Sequence, residues 1–326
     1  MSDKKFTLAN LKVEPFSLDL TNEEKELLKD VLPKYTPNQV SFELNAPVAF
    51  VNCLRMVMFS QIKGKYLEVN MSNVSSSSNY ILDDIVYAVK NIPIDQDIPV
   101  GTKFTLEAKA TGNTFRVVTS ADIRCDDPKL ANKFYFDKNI ELFFIESSTQ
   151  VTIKDIRVVE GYGKDDAAFS QAHLCIHNVL DEEPYNHETK TGVRSAMSKA
   201  NKFLVKFQTN GNVDPKKIII SAFNEILAKL NKVIEQAKNL TSSSNNNINS
   251  NNNKSIKVPD EDDAIGGLFT WYFNNLLNIT LTHDYNSLNN ILHIKVLTNE
   301  NTYIHDLIAK CGEFFGKNID RILRSL

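Results

Sequence analysis

Two stretches decide the reading of this chain: FELNAPVAFVNCLRMVMFSQI, Phe42–Ile62, and VPDEDDAIGGLFTWYFNNLL, Val258–Leu277. Each reads as a short strand, a polar cap and an amphipathic helix, with Asn52-Cys53-Leu54-Arg55 and Gly266-Gly267-Leu268 at equivalent places. In the first, Val48, Val51, Leu54, Met58 and Ile62 recur at spacings of three and four, so one helix face is built for a core. Asn45 offers an amide to cap free backbone donors, and Pro47 suits a first turn. Two related folding units in one polypeptide predict an internal pseudo-dimer of α+β class.

Working outward, LKVEPFSLDL (Leu11–Leu20) alternates as a strand does, and LTNEEKELLKDVLPKYTP (Leu20–Pro37) reads as a short helix. From Gly64 the pattern changes to short strands, KFTLEAKA, NTFRVVTS, IELFFIE and VTIKDIRVVEGYG, with one small helix in SNYILDDIVYAVKNIPI ended by Pro93. Asp181–Ser198 reads as a long loop. Helical periodicity returns after Asp214-Pro215, a cap followed by a first-turn proline, with Ile219, Phe223, Ile226, Leu227, Leu230, Val233, Ile234 and Ala237 on one face.

TSSSNNNINSNNNKS, Thr241–Ser255, holds too little apolar surface to offset the entropy of ordering it, and is expected to be a flexible linker. Beyond it come the second capped helix, the strands NITLTHD and NILHIKVLT, and a final helix with Ile304, Leu307, Ile308, Cys311, Phe314, Phe315, Ile319 and Ile322 along one face. Two one-sided helices in one molecule most simply cover each other. The expected seam takes Phe223, Leu227, Leu230 and Ile234 from the first unit and Leu268, Tyr272, Leu307, Phe314 and Phe315 from the second. The expected domains are 1–63 with 201–240, an inserted β-rich domain 64–200, the linker 241–255 and a second unit 256–326.

Composition narrows the chemistry. A net charge of −3 over 326 residues argues against a protein whose main task is wrapping nucleic acid, which needs a concentrated positive face. Four cysteines without paired spacing encode neither a disulfide framework nor a zinc ribbon. The opening MSDKKFTLANLKVEPF lacks an apolar signal core and no run reaches membrane-span length, so a soluble, non-secreted chain is expected. No nucleophile elbow, phosphate-binding glycine loop or acidic metal triad is present, so no catalytic residue, cofactor or metal is expected.

One rival chemistry stands out. On a strand, His173, Cys175 and His177 would share a face, and His187 could complete a tetrahedral metal site of a metal-dependent enzyme. A single strand spaces such ligands widely, which makes three on one ion awkward. Trp271, Tyr272 and Phe273 lack interleaved basic residues and read as core or seam aromatics rather than the stacking platform of a nucleic-acid-binding adaptor.

The order LKVEPFSLDL, FELNAPVAFVNCLRMVM, IRVVEGYGKDDAAFSQA, NVDPKKIIISAFNEILAKL resembles the third-largest subunit of eukaryotic RNA polymerase II, the archaeal D subunit and the bacterial alpha amino-terminal domain. EDDAIGGLFTWYF and the helix after it resemble the eleventh subunit and archaeal L. The two are fused here, as in the polymerase subunit of large cytoplasmic DNA viruses such as African swine fever virus and mimivirus-like viruses. The resemblance implies two alpha-like dimerisation units in one chain and a non-catalytic assembly platform for a DNA-directed RNA polymerase. Implied partners are the second-largest and largest subunits and small subunits similar to the tenth and twelfth, with no membrane and DNA met only through the complex. Location would be the host cytoplasm (virus factory) and virion if viral, the nucleus if cellular.

Residue by residue, Asn52, Leu54 and Arg55 match the family's N-x-L-R helix, which faces the second-largest subunit, although the family's next arginine is Met56 here. Gly161, Gly163, Lys164, Ala167 and Phe169 match a G-x-x-K-x-H-A loop near the same subunit, with Asp165-Asp166 where a glutamate and a histidine are common. Asp262, Asp263, Gly266 and Leu268 match E-D-H-T-L-G-N-x-L, with Phe269 in place of a frequent arginine. The cysteine cluster that many members carry in the inserted lobe is absent from this sequence.

Overall fold

The computed structural model describes residues 5–15, 38–78, 81–111, 113–130, 140–180, 201–209, 213–243, 253–297 and 304–326. The expected helix over Leu20–Pro37, the loop Asp181–Ser198 with His187, and the centre of the asparagine tract lie outside these residues.

Along the chain, β1 (Thr7–Pro15) and β2 (Asn38–Asn45) lead into α1 (Val48–Ser60). Then follow β3 (Lys63–Glu68), β4 (Val74–Ser76), α2 (Leu82–Lys90), β5 (Lys103–Lys109), β6 (Arg116–Thr119), β7 (Ile123–Cys125), β8 (Glu141–Ile145) and β9 (Gln150–Tyr162). The strands β10 (His173–Val179) and β11 (Lys202–Thr209) precede α3 (Pro215–Ser243). The chain closes with β12 (Asn253–Pro259), α4 (Asp263–Tyr272), β13 (Thr280–Asn286), β14 (Ile291–Leu297) and α5 (Ile304–Leu323).

The first sheet runs β1-β2-β11-β10, all antiparallel. Val40, Phe42 and Leu44 on β2 and Phe203, Val205 and Phe207 on β11 alternate into the core, the period-two pattern of a half-buried sheet. This corrects the expected inserted domain 64–200: β10 belongs to the first sheet, because Cys175 is a core residue there and His173–Val179 pair with β11. The inserted lobe itself is β3-β9-β5-β7, with β4 on β9 and a separate β6–β8 ribbon. It closes its own core around Leu67, Ile85, Phe104, Leu106 and Ile153.

A second correction concerns the cap of α1. Asn45 is consumed by the β-ladder, opposite Thr7 and Lys202, and Pro47 occupies the cap position with φ −63° and ψ 151° and no side-chain cap. The caps of α3 and α4 do form: Asp214 accepts from the Lys216 amide at 3.0 Å, and Asp262 from the Ala264 and Ile265 amides at 3.1 and 3.3 Å. The ends of the expected linker are also narrower than 241–255, since α3 continues to Ser243 and β12 starts at Asn253.

The last sheet, β12-β14-β13, does not keep a core of its own. Ile256, Val258, Leu281, Leu292, Ile294 and Val296 join α4 and α5 in the same buried cluster as the first sheet, α1 and α3. Along that shared core α3 and α5 run antiparallel. Gly312 leaves room for Ile234, whose Cδ1 would lie 2.3 Å from an added Cβ, and Lys216 Nζ donates to the Leu326 carbonyl at 3.1 Å. The helices bury matching positions: Ile218, Ile219, Ala222, Ile226, Leu230 and Val233 on α3 follow the spacing of Leu307, Ile308, Cys311, Phe315, Ile319 and Ile322 on α5. In that common frame Lys229 occupies the place of Asn318.

Burial also fixes thiol chemistry. It pushes Cys175 up to about 12, and Cys53 and Cys311 well above the ordinary thiol range, whereas Cys125 is half-buried. A thiolate is the reactive species, so native labelling with a maleimide near neutral pH is expected to modify Cys125 first and the other three only after denaturation. Rapid native labelling of Cys53 or Cys311 would contradict the packing described.

Candidate docking surface and inter-unit seam

Helix α1 has two unlike sides. Phe50, Val51, Cys53, Leu54, Val57 and Met58 face the core, while Asn52, Arg55, Met56 and Phe59 fall at i, i+3, i+4 and i+7 on the outer face. Phe59 is 50% exposed and Met56 38%. Arg55 reaches only the Met56 sulfur, at 3.7 Å, among the hydrogen bonds of the described residues. Leu54 is fully buried, so its expected partner contact is corrected to a core role.

The glycine-containing loop after β9 closes on the last turn of this helix. The Lys164 amide donates to the Ser60 carbonyl at 2.8 Å, and Ser170 Oγ donates to the Phe59 carbonyl at 2.8 Å. Gly163 makes the approach possible: an added Cβ would lie 3.0 Å from the Phe59 oxygen. Lys164 is exposed, its ammonium 5.5 Å from the centre of the Tyr162 ring. Two motifs about a hundred residues apart in sequence therefore form one continuous surface.

Phe169 is the second residue turned inward. Its ring packs on Tyr66 at 4.4 Å between centroids and fills the space that a Cβ on Gly161 would need, at 2.5 Å. Phe169 and Gly161 thus shape the loop rather than offer contact area. Asp166 caps the short turn Ala167–Phe169 through the Ala168 amide at 3.0 Å and pairs with Lys90. Against the upward push of burial, Lys90 and that amide hold its carboxyl below the usual range.

The strand β10 does not gather its metal-type residues. A bulge between His173 and Ile176, with Leu174 at φ 49°, separates them. His173 lines a small cavity with Lys65, Lys90 and Gln171, Cys175 lies in the core, and His177 packs edge-on against Phe203 at 5.6 Å. Among the described residues no group of three His, Cys, Asp or Glu side chains is placed to hold a metal. The His173/Cys175/His177 metal reading is therefore set aside.

Burial, reinforced by the Arg55 charge, lowers the pKa of His177. A histidine that is harder to protonate when folded costs stability as pH falls below its unfolded value of about 6.5. Removing the guanidinium in Arg55→Ala is expected to raise the His177 titration midpoint followed by NMR; an unmoved midpoint would place Arg55 away from β10.

The seam between residues 253–326 and the earlier part of the chain is aromatic at one end and ionic at the other. Phe315 stacks on Phe50 at 5.9 Å with an interplanar angle of 3°, and Phe6 lies 5.0 Å from Phe50. Phe50 also stacks on Phe223 at 6.2 Å, and Tyr272 meets Phe314 at 5.3 Å. Leu227 approaches Gly316, and Leu230, Leu268 and Leu307 lie in the same core. At the other end Lys229 Nζ donates to Glu261 at 2.9 Å and lies 3.8 Å from Asp262, with Lys232 3.4 Å from Glu261. Gln61 of the first unit donates its amide to Asp262.

Burial drives Lys229 down, but the two carboxylates hold its pKa above the ordinary lysine value. Burial raises Glu261 despite the pull of Lys229. The sequence reading placed Asp262 only in the E-D-H-T-L-G-N-x-L resemblance and missed both its cap and this cluster. The available signal was a lysine within the apolar stripe of α3, between Ile226 and Leu230.

Comparison with protein families matches residues 42–230 to the RNA polymerase Rpb3/Rpb11 dimerisation domain. The chain belongs to that family. The match opens in β2, crosses the inserted lobe and ends within α3, so it contains α1 and the loop seated on it. Comparison with curated proteins gives no match. As an Rpb3/Rpb11-like protein, the chain is a DNA-directed RNA polymerase subunit with an assembly role in transcription, and other polymerase subunits are its partners. The domain is typically part of a non-catalytic subunit.

Proposed function

We propose that this chain is a fused platform in which the family's dimerisation domain and a second, eleventh-subunit-like unit, α4 to α5, pair intramolecularly to nucleate a multisubunit RNA polymerase. The second-largest catalytic subunit docks on the outer face of α1 through Asn52 and Arg55 and on Lys164 of the adjoining loop. Gly161 and Gly163 set the path of that loop. The observation that supports this most is the seating of Gly163 and Lys164 on the end of α1, which makes one surface of both motifs. The fused arrangement resembles that of large cytoplasmic DNA viruses; a viral source would put the protein in the virus factory and virion, a cellular one in the nucleus.

Affinity purification of the tagged chain from its source, followed by identification of co-purifying proteins, tests this proposal. The two largest polymerase subunits are expected together with small subunits similar to the tenth and twelfth. Recovery of the chain without either large subunit would overturn it.

A further inference from the structure

We propose that Lys90, on the inserted lobe, is a positioning residue for partner docking: through Asp166 it holds the loop Tyr162–Ser170 in the shape that presents Lys164. The inference rests on the proposed docking of the second-largest subunit at α1 and this loop, and adds what fixes the loop.

Asp166 is the centre of the loop's bonding. Its amide and that of Asp165 donate to the Tyr162 carbonyl at 3.2 and 2.9 Å, closing the turn that contains Gly163 and Lys164. Its carbonyl accepts from the Phe169 amide at 3.0 Å, and its Oδ1 from the Ala168 amide at 3.0 Å. All of these partners lie within the loop. The remaining oxygen, Oδ2, accepts from Lys90 Nζ, and among the described residues that bond ties Asp166 to the lobe.

Lys90 is itself held in place. It ends α2, where the negative pole of the helix favours a cation, and Ile85 and Val89 of the same helix are buried in the lobe core. Its ammonium lies 5.0 Å from the centre of the Tyr66 ring, which packs on Phe169. The paired side chains are 26% and 31% exposed, so water screens them only in part. The bond to Asp166 holds the Lys90 pKa above the ordinary lysine value against the downward push of burial.

Without Lys90, Asp166 keeps a half-buried carboxylate that has lost its cation, and turning toward water becomes favourable. That turn breaks the Ala168 cap and loosens the bonds to Tyr162, so Lys164 loses its fixed place 5.5 Å from the centre of the Tyr162 ring. A partner must then order the loop on binding, which weakens docking although no direct contact is removed. The packing of Phe169 on Tyr66 carries no charge and survives, so the fold is retained.

The test is quantitative capture of the purified second-largest subunit by the full chain. Lys90→Met keeps the stem and removes the charge; it should melt near wild type and weaken capture roughly 3- to 10-fold, in the range of residues that act through others. Lys90→Arg should capture as wild type does. In a Lys164→Ala background Lys90→Met should add no further loss, because the group it positions is gone. Wild-type capture by Lys90→Met overturns the inference, and so does an equal loss in both backgrounds, which would mean that Lys90 acts elsewhere.

If Lys90→Met does not fold, Asp166→Asn carries the same cycle with Lys164→Ala, since its Oδ1 can still accept from Ala168 while the charge that binds Lys90 is gone. Failure of the docking reading is distinguishable. Arg55→Ala and Lys164→Ala would then both capture as wild type does, and the inference would fall with that reading; failure of the inference alone leaves those two weakened and Lys90→Met unchanged.

Discussion

Phe315→Ala is expected to destabilise the whole chain by about 3–5 kcal/mol, the usual cost of removing a fully buried aromatic and leaving a cavity. Phe315 is completely buried and touches both units: it stacks on Phe50 from α1, lies 6.0 Å from Phe6, and meets Trp271 at 6.2 Å and Phe314 at 5.3 Å. Offset and edge-on aromatic contacts add to the area effect, so Leu at this position should recover only part of the loss. Denaturant unfolding followed by two probes, one in each unit, should show a single transition shifted for both. Unfolding of the second unit alone, with the first unchanged, would contradict a shared core.

Arg55→Ala should have the opposite profile. The guanidinium lies on the outer side of α1 and hydrogen-bonds no carboxylate among the described residues, so the melt should move by less than about 0.5 kcal/mol. Capture of the second-largest subunit should weaken by roughly 2–5 kcal/mol, the cost of removing one member of a desolvated charge pair. Lysine should restore little, because a single ammonium cannot reproduce paired hydrogen bonds to a carboxylate. Equal capture by Arg55→Ala and wild type in a quantitative pull-down would remove Arg55 from the interface. Loss of the melt would assign it to the fold.

Periodic elements were the most legible part of the chain. The stripe of α1, the proline start of α3 and the one-sided face of α5 are local patterns; the structure buries the first and last and begins α3 at Pro215. The membership of β10 was not legible, because its alternation suits either sheet and the deciding factor is a long-range ladder with β11. The same limit affected the docking residues. N-x-L-R does not disclose that its leucine turns inward while Asn52 and Arg55 turn outward, and the glycine loop does not disclose that Phe169 fills the space Gly161 leaves open. The ionic end of the seam was hidden for a related reason. Lys229 and Glu261 come from different units, and only their packing turns an interruption in an apolar stripe and an acidic cap into one buried cluster.

The central claim is that one chain contains both halves of the pairing, and cutting the chain tests it most directly. A protease site placed between residues 244 and 252 would be cleaved after folding, and the product run on a sizing column under native conditions. The account predicts a single peak containing both fragments in equal amounts at the elution volume of the uncut chain. Two peaks, each with one fragment, would contradict it.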